Sequence, residues 1–139
     1  MSNIFLDTNI LVYGFDDANP GKKERSLDLL LKARDAGHFM VISTQVLQEY
    51  YNTLTRKLLV DRRTAKREML LLTRFHVVVM TPDLISIAAD IQDRTSISFW
   101  DSLVVSAAQA AKCDELWTED LNAGQMFGTL KVVNPLTTV

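Results

Sequence analysis

Two carboxylates stand where short apolar runs end. Asp7 follows Ile4-Phe5-Leu6 and leads into Thr8-Asn9, while Asp120 closes Thr118-Glu119-Asp120 after Leu116-Trp117. If those runs are strands of an open parallel sheet, both acids lie beyond strand carboxyl ends, where such sheets bind ligands near the reversal of strand order. Carboxylates meeting across that point offer the oxygen ligands that hard cations prefer. Asp7 is equally suited to capping a helix or holding a turn; its pairing with Asp120 is what favours a site. Asp101 opens a helix of small and apolar residues behind Phe99-Trp100, and a helix dipole alone favours an acid there. Glu49 lies roughly 140° round the helical wheel from the stripe Leu47, Tyr50, Tyr51, Leu54 and Leu58, a direction that faces solvent on most helices.

Positive charge is concentrated elsewhere. The stretch from Arg56 to Arg74 holds Arg56, Lys57, Arg62, Arg63, Lys66, Arg67 and Arg74 against only two acids, whereas the whole chain carries -2. The protein is therefore not a polycation that holds nucleic acid by bulk charge, and any such site must be local. The basic stretch fits phosphate contacts and equally the solvated face of an amphipathic helix. Tyr50 and Tyr51 can stack on bases, but their place on an apolar stripe favours core or dimer packing, and the same reading covers Trp100 and Trp117. His38 and His76 fall at strand starts and read as structural or surface residues. Asp16 and Asp17 read as a solvated turn, and Met126 and Phe127 as buried in a loop or short helix.

These side chains need elements to position them. Apolar runs recur at 4–6, 39–42, 77–80, 116–117 and 130–133, and runs this short between helical segments describe a parallel sheet covered on both faces. The alternation is that of an α/β fold. About 32 to 35 residues separate the first four runs, enough for two helices per crossover. Pro20-Gly21 opens a helix carrying Leu27, Leu30 and Leu31 that ends near Gly37. Asp61 caps a helix with Ala65, Met69, Leu72 and Phe75 on its stripe. Thr81-Pro82-Asp83 sets a cap, a first-turn proline and an acid before Ile85, Ala88 and Ile91. After a break at 95–98, a last helix runs from Phe99 to Ala111.

With 139 residues, 47% hydrophobic and 23% charged, the chain reads as one domain over 1–139 and is too apolar for disorder. A lone cysteine, Cys113, excludes an internal disulfide and a paired-cysteine zinc site and suits a reducing compartment. The N-terminus has no basic region ahead of an apolar stretch, and no window reaches the roughly 18 apolar residues of a membrane span. The expectation is a cytoplasmic protein with no membrane association.

Taken in order, hydrophobic-Asp7-Thr8-Asn9-hydrophobic, a helical Glu49, the run from Phe99-Trp100-Asp101-Ser102 to Ala107-Ala108, and Leu116-Trp117-Thr118-Glu119-Asp120-Leu121 resemble the PIN-domain ribonucleases over nearly the whole chain. The likeness is nearest to the small toxins of VapBC toxin-antitoxin modules. It implies a PIN-like three-layer α/β/α fold with a central, mainly parallel sheet of about five strands. It implies that Asp7, Glu49, Asp101 and Asp120 are a catalytic and metal-binding quartet, supported by Thr118 and Asn9, holding one or two Mg²⁺ or Mn²⁺ ions. Bound metal would lower the pKa of a water for attack on a phosphodiester and stabilise the developing charge, with no His or Cys nucleophile. The implied partners are an RNA substrate, for which Arg56, Lys57, Arg62, Arg63, Lys66 and Arg67 are candidate contacts, a cognate antitoxin in the groove near the acids, and a second copy in a homodimer.

The chain departs from the family pattern in places. Ser102 and Ser106 stand where alanine is more usual, and Lys112-Cys113-Asp114 replaces a glycine that often follows that helix. Glu119 competes with Asp120 as a ligand, and Thr-x-Asp is the family's form. A haloacid-dehalogenase-like phosphatase also places an acid after its first strand, but needs a second Asp where this chain has Asn9. A non-catalytic metal- or partner-binding module is the remaining alternative, against which the retention of all four acids argues.

Overall fold

The computed structural model describes residues 2–137. Along the chain run β1 (Asn3–Leu6), α1 (Thr8–Val12), a 3-10 turn (Tyr13–Phe15), α2 (Pro20–Asp35), β2 (Phe39–Ser43), α3 (Thr44–Arg56), α4 (Arg62–Leu72), β3 (His76–Val78), α5 (Pro82–Thr95), α6 (Phe99–Ala110), β4 (Glu115–Trp117), β5 (Met126–Phe127) and β6 (Leu130–Val133). The strands form one sheet in the order β3-β2-β1-β4-β6-β5. Every pairing is parallel except that of β5 with β6. Successive strand side chains point to opposite faces, yet Ile4, Phe5 and Leu6 of β1 are all buried. Helices must therefore cover both faces of the central strand, which is the expected α/β arrangement.

The chain leaves β1 for β2 and β3 on one side and returns to β4 on the other. The order of strands thus reverses between β1 and β4, and residues 7 and 118 sit side by side there. Asp7 N donates to Trp117 O at 3.0 Å and Thr118 N to Val133 O at 3.1 Å, so the backbone holds the two strand ends in register.

Helix starts lie where the side chains predict them. Ser43, Asp61, Thr81 and Ser98 each cap a helix by accepting from the backbone N–H three residues on. Gly37 follows α2 at φ 78, a left-handed position that glycine takes without strain. Lys112 occupies a similar position after α6 at φ 54, so the departure from glycine noted above places a Cβ in a conformation that disfavours one.

Three expectations are corrected. The sheet has six strands rather than about five, because Met126 and Phe127 form β5 instead of a loop or short helix. They pair with Lys131 and Leu130 across a two-residue loop that opens with Gly128 at φ 62, a hairpin turn in which positive φ matches the strand twist. Only Phe127 of the two is buried. On α2 the stripe Leu27, Leu30, Leu31 is only partly the core face: Leu30 packs against the core with Leu29, Leu27 and Leu31 are exposed, and Ser26 and Ala33 are buried. The third strand ends at Val78, not Met80, because Val79 is exposed and Met80 N turns to donate to Thr44 Oγ1.

Candidate functional site

Asp7 ends β1 and caps α1, its Oδ1 accepting from Thr8 N at 2.8 Å. The capping reading and the site reading are therefore both met by one side chain. Its Oδ2 accepts from Thr118 Oγ1 at 2.8 Å and from Asn9 Nδ2 at 3.4 Å. Thr118 Oγ1 also accepts from Asn9 Nδ2 at 3.3 Å and from Asp120 N at 3.0 Å. Asn9 Oδ1 in turn accepts from Glu119 N at 3.3 Å. Thr118 and Asn9 thus tie the end of β1 to the end of β4 and fix the rotamer of Asp7. An amide at position 9 donates to Asp7; the second carboxylate that the phosphatase alternative needs there would repel it.

Asp7, Glu49, Asp101 and Asp120 line one cavity of about 310 Å³, together with Thr8, Asn9, Gln45, Thr53, Lys57 and Trp100 among others. Four segments far apart in sequence contribute one acid each. Burial pushes the Asp7 carboxyl up to about 7; the hydrogen bonds from Thr118 and Thr8 oppose this, and the charges of Asp120 and Glu49 add to it. Glu49 is raised by burial first and then by Asp120 and Asp101, against the pull of a 3.0 Å hydrogen bond from Thr8 Oγ1. Asp101 is raised by burial and by Asp120, opposed by Ser98. Burial is the common and largest cause, and repulsion across the shared cavity adds to it. None of the four makes an ion pair among the described residues.

Glu49 corrects the reading from helical periodicity. It is half-buried and faces the cavity rather than solvent. The cause is that α3 packs on two sides, with Val46, Tyr50 and Leu54 toward the core and Gln45, Glu49 and Thr53 toward the cavity. The i, i+4 spacing of those three polar residues is the signal that the apolar stripe hides. Thr8, the donor to Glu49, was visible only as the middle residue of Asp7-Thr8-Asn9. Glu119 points elsewhere: Oε1 accepts from Tyr13 Oη at 2.6 Å and Oε2 from Lys22 Nζ at 3.0 Å. That triad occupies the carboxylate that sequence left in competition with Asp120.

The basic stretch divides. Lys57 reaches the acidic cavity; Arg62, Arg63, Lys66 and Arg67 line a separate groove of about 720 Å³ with Arg74, Tyr51, Leu70 and Leu71. Arg56 is exposed and lines neither. Tyr50 is core, as its place on the stripe predicts, and Trp117 is buried. Trp100 is not: it is 65% exposed at the mouth of the acidic cavity.

The donor set of the cavity suits a hard divalent cation, which takes oxygen ligands and, as Mg²⁺, needs only one or two carboxylates beside water and substrate phosphate. Among the described residues, no three acidic, histidine or cysteine side chains converge closely enough to enclose an ion as they stand. The hydrogen bonds of Asp7 to Thr118 and of Glu49 to Thr8 hold these acids to neighbouring hydroxyls.

The PIN domain family profile matches residues 4–126. No curated protein matches the sequence. Among solved structures, VapC20 of Mycobacterium tuberculosis, a sarcin-ricin-loop-cleaving toxin, is similar with TM-score 0.69 and 21% identity, over 85% of this chain and 90% of that one. A toxin-antitoxin complex from Klebsiella pneumoniae gives 0.66 and 20%, covering 96% and 98%. VapBC2 of Rickettsia felis, bound to a promoter DNA fragment, gives 0.64 and 20%, covering 93% and 96%.

Proposed function

This chain belongs to the PIN domain family, and from that membership we propose that it is a metal-dependent endoribonuclease, the toxin of a VapBC-type toxin-antitoxin pair. The observation that carries the proposal is the convergence of Asp7, Glu49, Asp101 and Asp120 on one cavity at the strand-order reversal. Such a cavity repels an anionic phosphodiester until its charge is neutralised, so the acids account for a cation requirement on their own.

In this reading Asp7, Asp101, Asp120 and Glu49 hold Mg²⁺ or Mn²⁺. When bound, the cation would supply Lewis acidity for activating a water and for offsetting negative charge on the phosphodiester. Thr118 and Asn9 keep Asp7 aimed into the cavity, and Thr8 does the same for Glu49. Lys57, on the cavity wall, is suited to hold a phosphate oxygen of the RNA. The Arg62, Arg63, Lys66 and Arg67 groove is suited to phosphates farther along the strand.

An antitoxin partner is supported by the toxin-antitoxin complexes among the structural neighbours. Leu27, Leu31 and Phe39, all exposed, border an apolar cavity of about 580 Å³ with Leu30, Met40 and Phe75, a surface of the kind that a protein partner buries. A homodimer remains part of the proposal on the same grounds of unburied helix surface.

Cleavage of a pool of structured RNAs by the purified protein tests the function. Products should form with Mg²⁺ or Mn²⁺, disappear with EDTA, and fall by more than about 100-fold in Asp7→Asn. Equal cleavage by wild type and Asp7→Asn would refute the assignment.

A further inference from the structure

Trp100 is a large aromatic side chain that the fold leaves mostly exposed beside the acidic cavity. It is the second residue of α6, immediately before Asp101, and stays 65% exposed. Its position is nonetheless fixed. Gln45 Nε2 donates to the Trp100 carbonyl at 3.3 Å, and the Phe99 ring meets the indole edge-on, with centroids 5.5 Å apart.

On the other side of Trp100 from the core lies a second cavity of about 460 Å³, lined by Gln45, Gln48, Glu49, Asn52 and Trp100. Three of these residues, Gln45, Glu49 and Trp100, also line the acidic cavity, so the two spaces share a wall. The floor of the second cavity is made of side-chain amides one helical turn apart, Gln48 and Asn52 of α3, both exposed. Gln45 Oε1, in the shared wall, is the buried side-chain oxygen or nitrogen that has no hydrogen-bond partner among the described residues. Gln45 itself is only 7% exposed. An acceptor there needs a donor from a water or from a ligand group that enters the cavity.

We propose that Trp100 is a stacking platform for one unpaired RNA base next to the scissile phosphate, with Gln48 and Asn52 reading the edge of that base. The proposal rests on the nuclease reading above and gives its substrate a form: a single-stranded segment, since a paired base shows no free face. Three features support a nucleotide rather than another occupant. An exposed indole beside a phosphate-directed carboxylate matches the separation of roles in which aromatics take bases and charged groups take the backbone. Amides carry both donors and acceptors and so suit base edges, whereas an apolar partner would leave them unpaired. The cavity shares Gln45, Glu49 and Trp100 with the proposed catalytic one, so a base held in it lies beside the acids.

Binding is measured with Ca²⁺ in place of Mg²⁺ or Mn²⁺, so that the acids are neutralised by a hard cation, using fluorescein-labelled hexa-adenylate and hexa-uridylate, following anisotropy and checking that the oligonucleotides stay intact. Trp100→Ala should bind about 5- to 150-fold more weakly than wild type, and Trp100→Phe, which keeps a ring, should recover most of the loss. The unlabelled oligonucleotides should quench wild-type tryptophan fluorescence, because Trp117, the other tryptophan, is buried and donates to Glu115. Hydrolysis of bis(p-nitrophenyl) phosphate with Mn²⁺, which needs the acids but no stacked base, is followed in wild type as a separate readout of the nuclease reading, and Trp100→Ala should keep the wild-type circular dichroism spectrum. Loss of that hydrolysis in wild type would count against the nuclease reading while leaving the binding result to judge Trp100. Equal oligonucleotide affinity in wild type and Trp100→Ala would overturn the proposal, as would absence of binding by wild type. A shift from dimer to monomer in Trp100→Ala with RNA affinity unchanged would assign the indole to a second copy instead, and would equally overturn it.

Discussion

Asp7 joins three roles in one carboxylate: it caps α1, anchors Thr118 and faces the other acids. Its raised pKa has a definite consequence for the metal-free protein. The folded state keeps a proton to about pH 7 that the unfolded chain releases near pH 4, so stability falls as pH rises through that window and levels off above it. Chemical denaturation in EDTA from pH 4 to 8 should show this decline in wild type and a much flatter profile in Asp7→Asn; parallel profiles would contradict it. Thr118→Val should cost cleavage about 10- to 100-fold while the chain still folds, because the threonine orients a ligand without touching substrate. Asp7 stood out in the sequence because it follows a short apolar strand directly, whereas Asp120, three residues after Trp117, was separated from Glu119 only by the family's Thr-x-Asp form. Glu49 was legible only through the family resemblance, since a helix with two packed faces breaks the single-stripe assumption. Trp100 is not core, the first half of its reading from sequence, because an aromatic beside an apolar run carries no mark of which way it points.

At the scale of elements, caps and strand ends carry the positional accuracy of the site. Ser98 accepts from Asp101 N at 3.1 Å, and its backbone O accepts from Ser102 Oγ at 2.9 Å. Ser98→Ala should therefore lower stability by about 0.5–2 kcal/mol, read as a fall in thermal midpoint. The serines that replace alanine in α6 are used: Ser106 Oγ donates to Leu84 O at 2.8 Å, tying α6 to α5. Lys112→Gly should raise stability by about 0.5–1 kcal/mol by removing a Cβ from the left-handed region; no change would mean that the loop already relaxes the strain. The five strands with apolar runs were readable, and so were the caps of α4 and α5, Asp61 and Thr81. Strand β5 was not, because two residues are too few to show alternation, and its only mark is the Gly128-Thr129 turn between two short apolar pairs.

Across the whole molecule, negative potential gathers at the acidic cavity and positive potential at the α4 groove. If the groove holds RNA phosphates, replacing Arg62 and Lys66 by serine should reduce the slope of log affinity against log salt by about 1.4, near 0.7 per cation on a single strand; an unchanged slope would return these residues to the role of a solvated face. This polarity was visible in the sequence as a clustered basic stretch within a chain of net charge -2, but its division between Lys57 and the α4 groove depends on how α3 and α4 pack. The central claim is that the four acids together hold a divalent ion, and Mn²⁺ binding followed by electron paramagnetic resonance at pH 8 tests it most directly. Wild type should bind Mn²⁺ saturably, competed by Mg²⁺, and Asp7→Asn with Asp101→Asn should lose that binding while keeping its circular dichroism spectrum. Equal Mn²⁺ binding by the two folded proteins would contradict the account.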